Sequence, residues 1–186
     1  AQIEAPTNSP VARHGALSVA GNRIVDAHGE PVTLRGMSLF WSQWEPDYYS
    51  RETVDWLVED WGVTVIRAAI AARGEDSALT HYDREMAKAR TVIDAAVANG
   101  IYVIVDWHAH DPHPDEAARF LTEIARDYGH LPNVIYEPFN EPLRDNVEWS
   151  RDVRPYHMQV VAKSFLVIDA QESFRGLISL DDLVSE

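Results

Sequence analysis

The 186-residue chain contains no cysteine, which excludes disulfides, thiolate metal sites and a cysteine nucleophile. Basic residues are few: 16 Lys and Arg stand against 30 Asp and Glu, a net charge of −14. No basic patch on such a chain could offset phosphate repulsion, so no nucleic-acid partner is expected. A neutral partner meets no such barrier. Long apolar runs are missing as well. Nothing approaches the roughly 18 residues of a membrane span, so no membrane partner is expected either, and no signal-peptide core is seen. The opening AQIEAPTNSP is small and polar, and residues 1–13 read as a flexible leader of the kind a removed secretory signal leaves behind. Against these absences stand 46 % apolar residues, six Trp and seven Tyr. That is a globular composition with room for one domain.

Along the chain, Leu17–Val19 and Arg23–Val25 flank Ala20-Gly21-Asn22, a hairpin signal. Residues 32–39, VTLRGMSL, read as a strand. Ser50 then precedes RETVDWLVEDW, with Val54, Leu57, Val58 and Trp61 at helical spacing and Gly62 as the stop. Trp56 and Trp61 read as packing residues of that helix. TVIRAAI (64–70) and IYVIVDW (101–107) are apolar strands, separated by a helix over 83–99 that Gly100 closes. A helix over 115–128 begins after Pro114 and ends at Gly129. Residues 133–136 lead a third buried strand, and 150–163 reads as one more helix. Strands alternating with helices of this length imply βαβ units and a parallel sheet covered on both faces. Each strand ends in residues with chemistry: Arg67, then Asp106-Trp107-His108, then Asn140-Glu141. Parallel α/β folds hold their sites at such strand ends, in barrels and open sheets alike, and periodicity does not choose between the two.

The sharpest segment is NVIYEPFNEP (133–142). A glutamate leaving a buried strand beside aromatic residues has its neutral form favoured and can donate a proton. Pro142 fixes the direction of the loop. The chain resembles glycoside hydrolase family 5, in particular its bacterial endo-β-1,4-glucanases. The resemblance is carried by LRGMSLFWSQW (34–44), VIRAA (65–69), GIYVIVDWH (100–108), YGHLPNVIYEPFNEP (128–142) and RPYHMQVV (154–161), in order, over residues 14–162. It implies the N-terminal half of a (β/α) TIM-type barrel, about four strand–helix units, with the hairpin at 15–31 as the plug of the barrel bottom. It implies a secreted hydrolase of β-1,4-glucan that retains configuration and needs no cofactor and no metal. By position it implies Glu141 as acid/base, Asn140 as the contact to the sugar 2-hydroxyl, Arg67 as the buttress of the nucleophile and His108 at the floor of the cleft. Trp41, Trp44 and Trp107 are candidate sugar platforms, since aromatic faces suit the C–H faces of glucose.

The family pattern stops near Val161. Residues 163–186 resemble, weakly, the opening strand of isochorismatase-like hydrolases (FLVIDAQESF, with Asp169) and the end of a nucleotide-sensing module (GLISLDDLVSE). They read as an atypical tail, or as a strand that covers the sheet edge. The chain is therefore expected to be a truncated form without its nucleophile and nearly inactive, self-associating through an open barrel edge. A non-catalytic carbohydrate-binding or assembling half-barrel is the alternative. Glu137 is set too far from Glu141 along one strand, at about 3.3 Å per residue, to replace the nucleophile. Asp106 lies too deep, and Asp169 and Glu172 would serve only if the tail forms the next strand. Plainer roles remain for each residue: Glu141 as a solvated loop carboxylate, Arg67 in a salt bridge to Glu137, His108 packed against backbone. The run His108, His110, Asp111, His113 with Asp106 invites a metal reading, but it sits on an irregular loop and lacks a Glu in an H-E-x-x-H frame.

Overall fold

The computed structural model describes residues 6–111, 113–141, 164–168 and 174–179, the last two ranges as backbone strands. Helix α1 (Pro10–His14) comes first, followed by the hairpin of β1 (Ser18–Ala20) and β2 (Arg23–Val25). Then come β3 (Gly36–Leu39), a 3₁₀ turn at Pro46–Tyr48, α2 (Arg51–Trp61), β4 (Val65–Ala71), α3 (Tyr82–Asn99), β5 (Tyr102–His108), α4 (Pro114–Tyr128), β6 (Val134–Glu137), β7 (Ser164–Ile168) and β8 (Phe174–Ser179). Six strands form one sheet in the order β3-β4-β5-β6-β7-β8. The pairings from β3 to β7 are parallel, and β8 is antiparallel to β7. This is the strand–helix alternation of a partial (β/α) barrel.

Local chemistry explains the elements. Ser50 caps α2 by accepting from the Thr53 N–H at 3.3 Å, and Gly62 ends it in the left-handed region (φ 64°). The Gly62 and Val63 N–H groups return to the Val58 and Leu57 carbonyls, a Schellman-type stop. Gly36 serves a different need. A Cβ there would lie 1.6 Å from the Val65 carbonyl oxygen, so only glycine lets β3 reach β4 at this register, Gly36 opposite Val65.

Alternation along the strands sorts side chains into two layers. Ile66, Ala68 and Ile70 of β4, with Val103, Val105 and Trp107 of β5, join the helix-side core with Leu57, Ile93, Phe120 and Ile124. Each such fully buried aliphatic or aromatic side chain contributes about 1.5–3 kcal/mol. The other parity points inward. Val65, Tyr102, Ile104 and Ile135 pack with Val11, Leu17, Val19 and Ile24, so the hairpin and α1 cover the sheet where the strands begin.

Several sequence expectations are corrected. The leader is not wholly flexible: Ser9 caps α1 by accepting from the Ala12 N–H, Pro10 occupies the first turn, and the Val11 N–H bonds to the Gly100 carbonyl at 2.9 Å. Serine followed by proline is a helix start that composition alone conceals. The strand expected over 32–39 shrinks to 36–39, because Val32 bonds back to Ile24 and extends the hairpin. Trp56 and Trp61 are not core: they are 51 % and 60 % exposed and meet each other edge-on at 6.1 Å. The buried stripe of α2 is Val54 and Leu57, and the two indoles flank it. In the tail, the backbone of β7 pairs with β6. The helix expected over 150–163, with Pro142, Asp169 and Glu172, lies outside the described residues. Among the described residues no helix is long and apolar enough to cross a membrane.

Candidate active site

The register places Ala69 beside Asp106 and Asp106 beside Glu137, so inward positions of three adjacent strands meet near their C-terminal ends. Arg67 lies at the centre. Its Nε and Nη2 donate to the two Glu137 oxygens at 2.7 and 2.8 Å, a bidentate fork. Nη2 also lies 2.8 Å from Asp106 Oδ2 and donates to Asn140 Oδ1 at 2.8 Å. Nη1 donates to Ser38 Oγ at 3.2 Å. His108, two residues beyond Asp106 and therefore on the same face, sets its Nδ1 2.5 Å from Asp106 Oδ2.

Two buried carboxyls thus share one guanidinium. Burial pushes Asp106 up to about 7, with Arg67 opposing. It pushes Glu137 up to about 7 as well, with the Asp106 charge adding to the rise. Burial works against the charge of Arg67, but Asp106 and Glu137 outweigh it and hold the guanidinium above its ordinary value. Burial, then Arg67, brings His108 down to about 4. The short contact between His108 and Asp106 would by itself favour an ion pair; burial of both partners wins, so near neutrality His108 is an uncharged imidazole.

Above this layer opens a cleft of about 300 Å³, lined by Ser38, Leu39, Phe40, Trp41, Arg67, Ala69, His108, His110, Asn140 and Glu141. Trp41 meets the His108 ring edge-on at 4.0 Å and the His110 ring at 5.4 Å. Trp44, 59 % exposed, lies 4.9 Å from Trp41. Glu141 faces the same cleft. Its φ of 39° is the one positive value among the described non-glycine residues, a conformation that costs about 1–3 kcal/mol. Its Oε2 sits 3.0 Å from His110 Nε2. Asn140 is buried, its Oδ1 is held by Arg67, and its Nδ2 has no hydrogen-bond partner among the described residues.

The structure brings Arg67, His108, Asn140, Glu141 and Trp41 together, with Trp44 behind Trp41. It does not bring Trp107. That indole is fully buried and packs tilted against Phe120 of α4, ring centroids 5.4 Å apart. Because Asp106 and His108 face the cleft, the residue between them must face the helices. Glu141 is half-exposed rather than dry, and it is not on a strand, since β6 ends at Glu137. The run read as a metal candidate is dispersed: His108 goes to Asp106, His110 to Glu141, Asp111 to Arg73. Among the described residues no three His, Asp or Glu side chains converge as a metal set. What sequence reasoning undervalued is Asp106, the link between Arg67 and His108. Its signal was its i, i+2 spacing to His108.

Comparison with known proteins gives the context. The family model "Cellulase (glycosyl hydrolase family 5)" matches residues 25–163. Endoglucanase N of Pectobacterium atrosepticum is 40 % identical over 159 residues, covering 82 % of this chain and 35 % of that protein. Endoglucanase Z of Dickeya dadantii is 41 % identical over 151 residues, covering 78 % of this chain and 35 % of that protein. Among solved structures, one from Cytophaga hutchinsonii superposes with a TM-score of 0.79 at 41 % identity, covering 87 % of this chain and 56 % of that one. The catalytic domain of Thermobifida fusca endoglucanase Cel5A in complex with cellotetraose gives 0.77 at 32 % identity, covering 89 % and 60 %. The chain spans about a third of the length of the curated relatives it matches. With the family model matching most of its residues, the chain belongs to the cellulases of glycosyl hydrolase family 5.

Proposed function

We propose that this chain carries the acid/base half of a retaining endo-β-1,4-glucanase site, with Glu141 as the acid/base and a β-glucan chain as substrate. One observation carries the reading most directly. Glu141 and the buried Asn140 line one cleft, and Arg67 donates to the Asn140 amide oxygen, so the amide is held in place beside Glu141. Trp41 and the exposed Trp44 suit the C–H faces of the same ligand. The cellotetraose bound in the related Thermobifida fusca structure supports a β-glucan ligand, and export to the cell exterior is proposed with it.

In this mechanism a carboxylate attacks the anomeric carbon and the C–O bond to the leaving sugar breaks as Glu141 protonates its oxygen. Glu141 then takes a proton from water, which displaces the enzyme carboxylate. The attacking carboxylate must lie about 5–5.5 Å from its partner. Among the described residues, Asp106 and Glu137 are the buried carboxyls of the layer beneath the cleft, and both are engaged with Arg67. We therefore assign the nucleophile to none of them, and propose that this chain alone turns over little or no substrate.

The test is hydrolysis of carboxymethylcellulose and binding of cellotetraose by this chain and by Glu141→Gln. Binding by both with turnover by neither is expected. Turnover that Glu141→Gln abolishes would overturn the proposal that this chain alone lacks a working nucleophile, and absence of any cellotetraose binding would overturn the reading itself.

A further inference from the structure

We propose that Ser42 and Glu85 form a buried latch that holds the aromatic wall of the cleft in its ligand-ready geometry, so that Glu85 is a positioning residue for sugar binding although it does not line the cleft. The proposal rests on the reading of the cleft as a glucan site.

Ser42 stands between Trp41 and Trp44 in the segment that follows β3 and points away from them. It is fully buried. All of its polar atoms are engaged by other elements. Its N–H donates to the Ala69 carbonyl at 3.1 Å, its carbonyl accepts from Lys88 Nζ at 2.6 Å, and its Oγ accepts from the Ala71 N–H at 2.9 Å. Its hydroxyl donates to Glu85 Oε2. Glu85, in the first turn of α3, is likewise fully buried. Its other oxygen accepts from Lys88 Nζ at 2.7 Å and from Arg84 Nε at 3.2 Å.

No step of the proposed chemistry uses Glu85, yet a fully buried carboxylate is costly unless paired and hydrogen-bonded. Here the pairing secures one thing, the Ser42 backbone and side chain. Tyr49 secures Phe40, two residues before Ser42, its hydroxyl lying 2.7 Å from the Phe40 carbonyl and 2.8 Å from that of Ala69. Residues 40 and 42 are thereby tied to β4 and α3, which holds the backbone of the intervening Trp41 where its ring lies edge-on to His108. An aromatic contact already ordered before binding loses less conformational freedom when the ligand arrives.

The experiment titrates this chain with cellotetraose, following tryptophan fluorescence, in wild type, Glu85→Gln, Ser42→Ala, Trp41→Phe and the double variant Glu85→Gln/Trp41→Phe. Acrylamide quenching, far-UV circular dichroism and urea midpoints are recorded for each. Preorganisation of one aromatic contact predicts about a 5- to 10-fold loss of affinity in Glu85→Gln, comparable to Trp41→Phe, and greater quenching with an unchanged far-UV spectrum. The double variant should lose no more than either single one, because the two act through the same contact. A lower urea midpoint with unchanged affinity and quenching, or additive losses in the double variant, would overturn the latch and leave Glu85 merely structural. Should Glu85→Gln not fold, Ser42→Ala, which removes the hydroxyl's bonds to Glu85 and to the Ala71 N–H, must show the same loss of affinity and rise in quenching. Should the wild type bind no cellotetraose, the glucan reading fails, and the latch stands or falls on quenching alone.

Discussion

Arg67→Met would remove the one cation that Asp106 and Glu137 share while keeping much of the side-chain volume. The guanidinium is 19 % exposed and its partners 0 % and 2 %, so solvent can screen little of the loss. Removing one partner of a buried pair costs about 3–5 kcal/mol. The pH dependence distinguishes this cause from simple packing loss. A carboxyl whose folded pKa is raised holds a proton that the unfolded chain has released, so stability falls with rising pH from near 4 up to the folded value. In the wild type that fall ends at about 7 for both carboxyls. His108, lowered to about 4, works in the opposite sense, costing stability as pH drops below its unfolded value near 6.5. Without Arg67 the carboxyls hold their protons to higher pH. The variant should therefore keep losing stability above pH 7, by up to about 1.4 kcal/mol per pH unit for each retained proton, where the wild type is flat. Urea unfolding at pH 5, 7 and 8.5, followed by tryptophan fluorescence, measures this. At pH 5, with both carboxyls protonated in either protein, the difference should shrink to the lost hydrogen bonds, about 1–3 kcal/mol. Arg67→Lys, which keeps the charge but not the fork, should fall between the two. A gap between wild type and Arg67→Met that is the same at all three pH values, or below about 1 kcal/mol at pH 8.5, would refute the shared-cation account.

Two further outcomes follow from packing. Gly36→Ala drives a methyl against the Val65 carbonyl oxygen and must part β3 from β4 or shift the backbone. A loss of several kcal/mol is expected, in the range of severe overpacking, and a near-neutral urea midpoint would show that the strand relaxes freely. Trp107→Ala should cost about 3–5 kcal/mol of stability while leaving cellotetraose affinity unchanged at temperatures where the variant is folded. A selective loss of affinity would restore Trp107 as a sugar contact.

Much of the fold is legible because local signals agree. Ser50 and Gly62 bracket α2 within a residue of the expectation, and the apolar runs of β4, β5 and β6 appear within a residue or two of where their composition places them. The failures have a common cause. Ser9-Pro10 is a two-residue helix start inside a leader-like composition, and Trp56 and Trp61 stay exposed although indoles usually pack inside. Trp107 adjoins His108 in sequence, but strand alternation sets the two on opposite faces.

The sequence by itself determined the alternation of strands and helices, the family and the set of polar residues at the strand ends, since these depend on hydrophobic period, caps and motif order. Only the tertiary structure decided which of those residues meet. Register between parallel strands set Asp106 beside Glu137 and laid Arg67 across both, and no pattern along one strand encodes its neighbour's offset. Burial then decided protonation, because desolvation depends on how many layers cover a carboxyl and not on the residues beside it in the chain. The latch at Ser42 belongs to the same class: Ser42 and Glu85 are 43 positions apart, and only the packing of α3 against the end of β4 makes them one device.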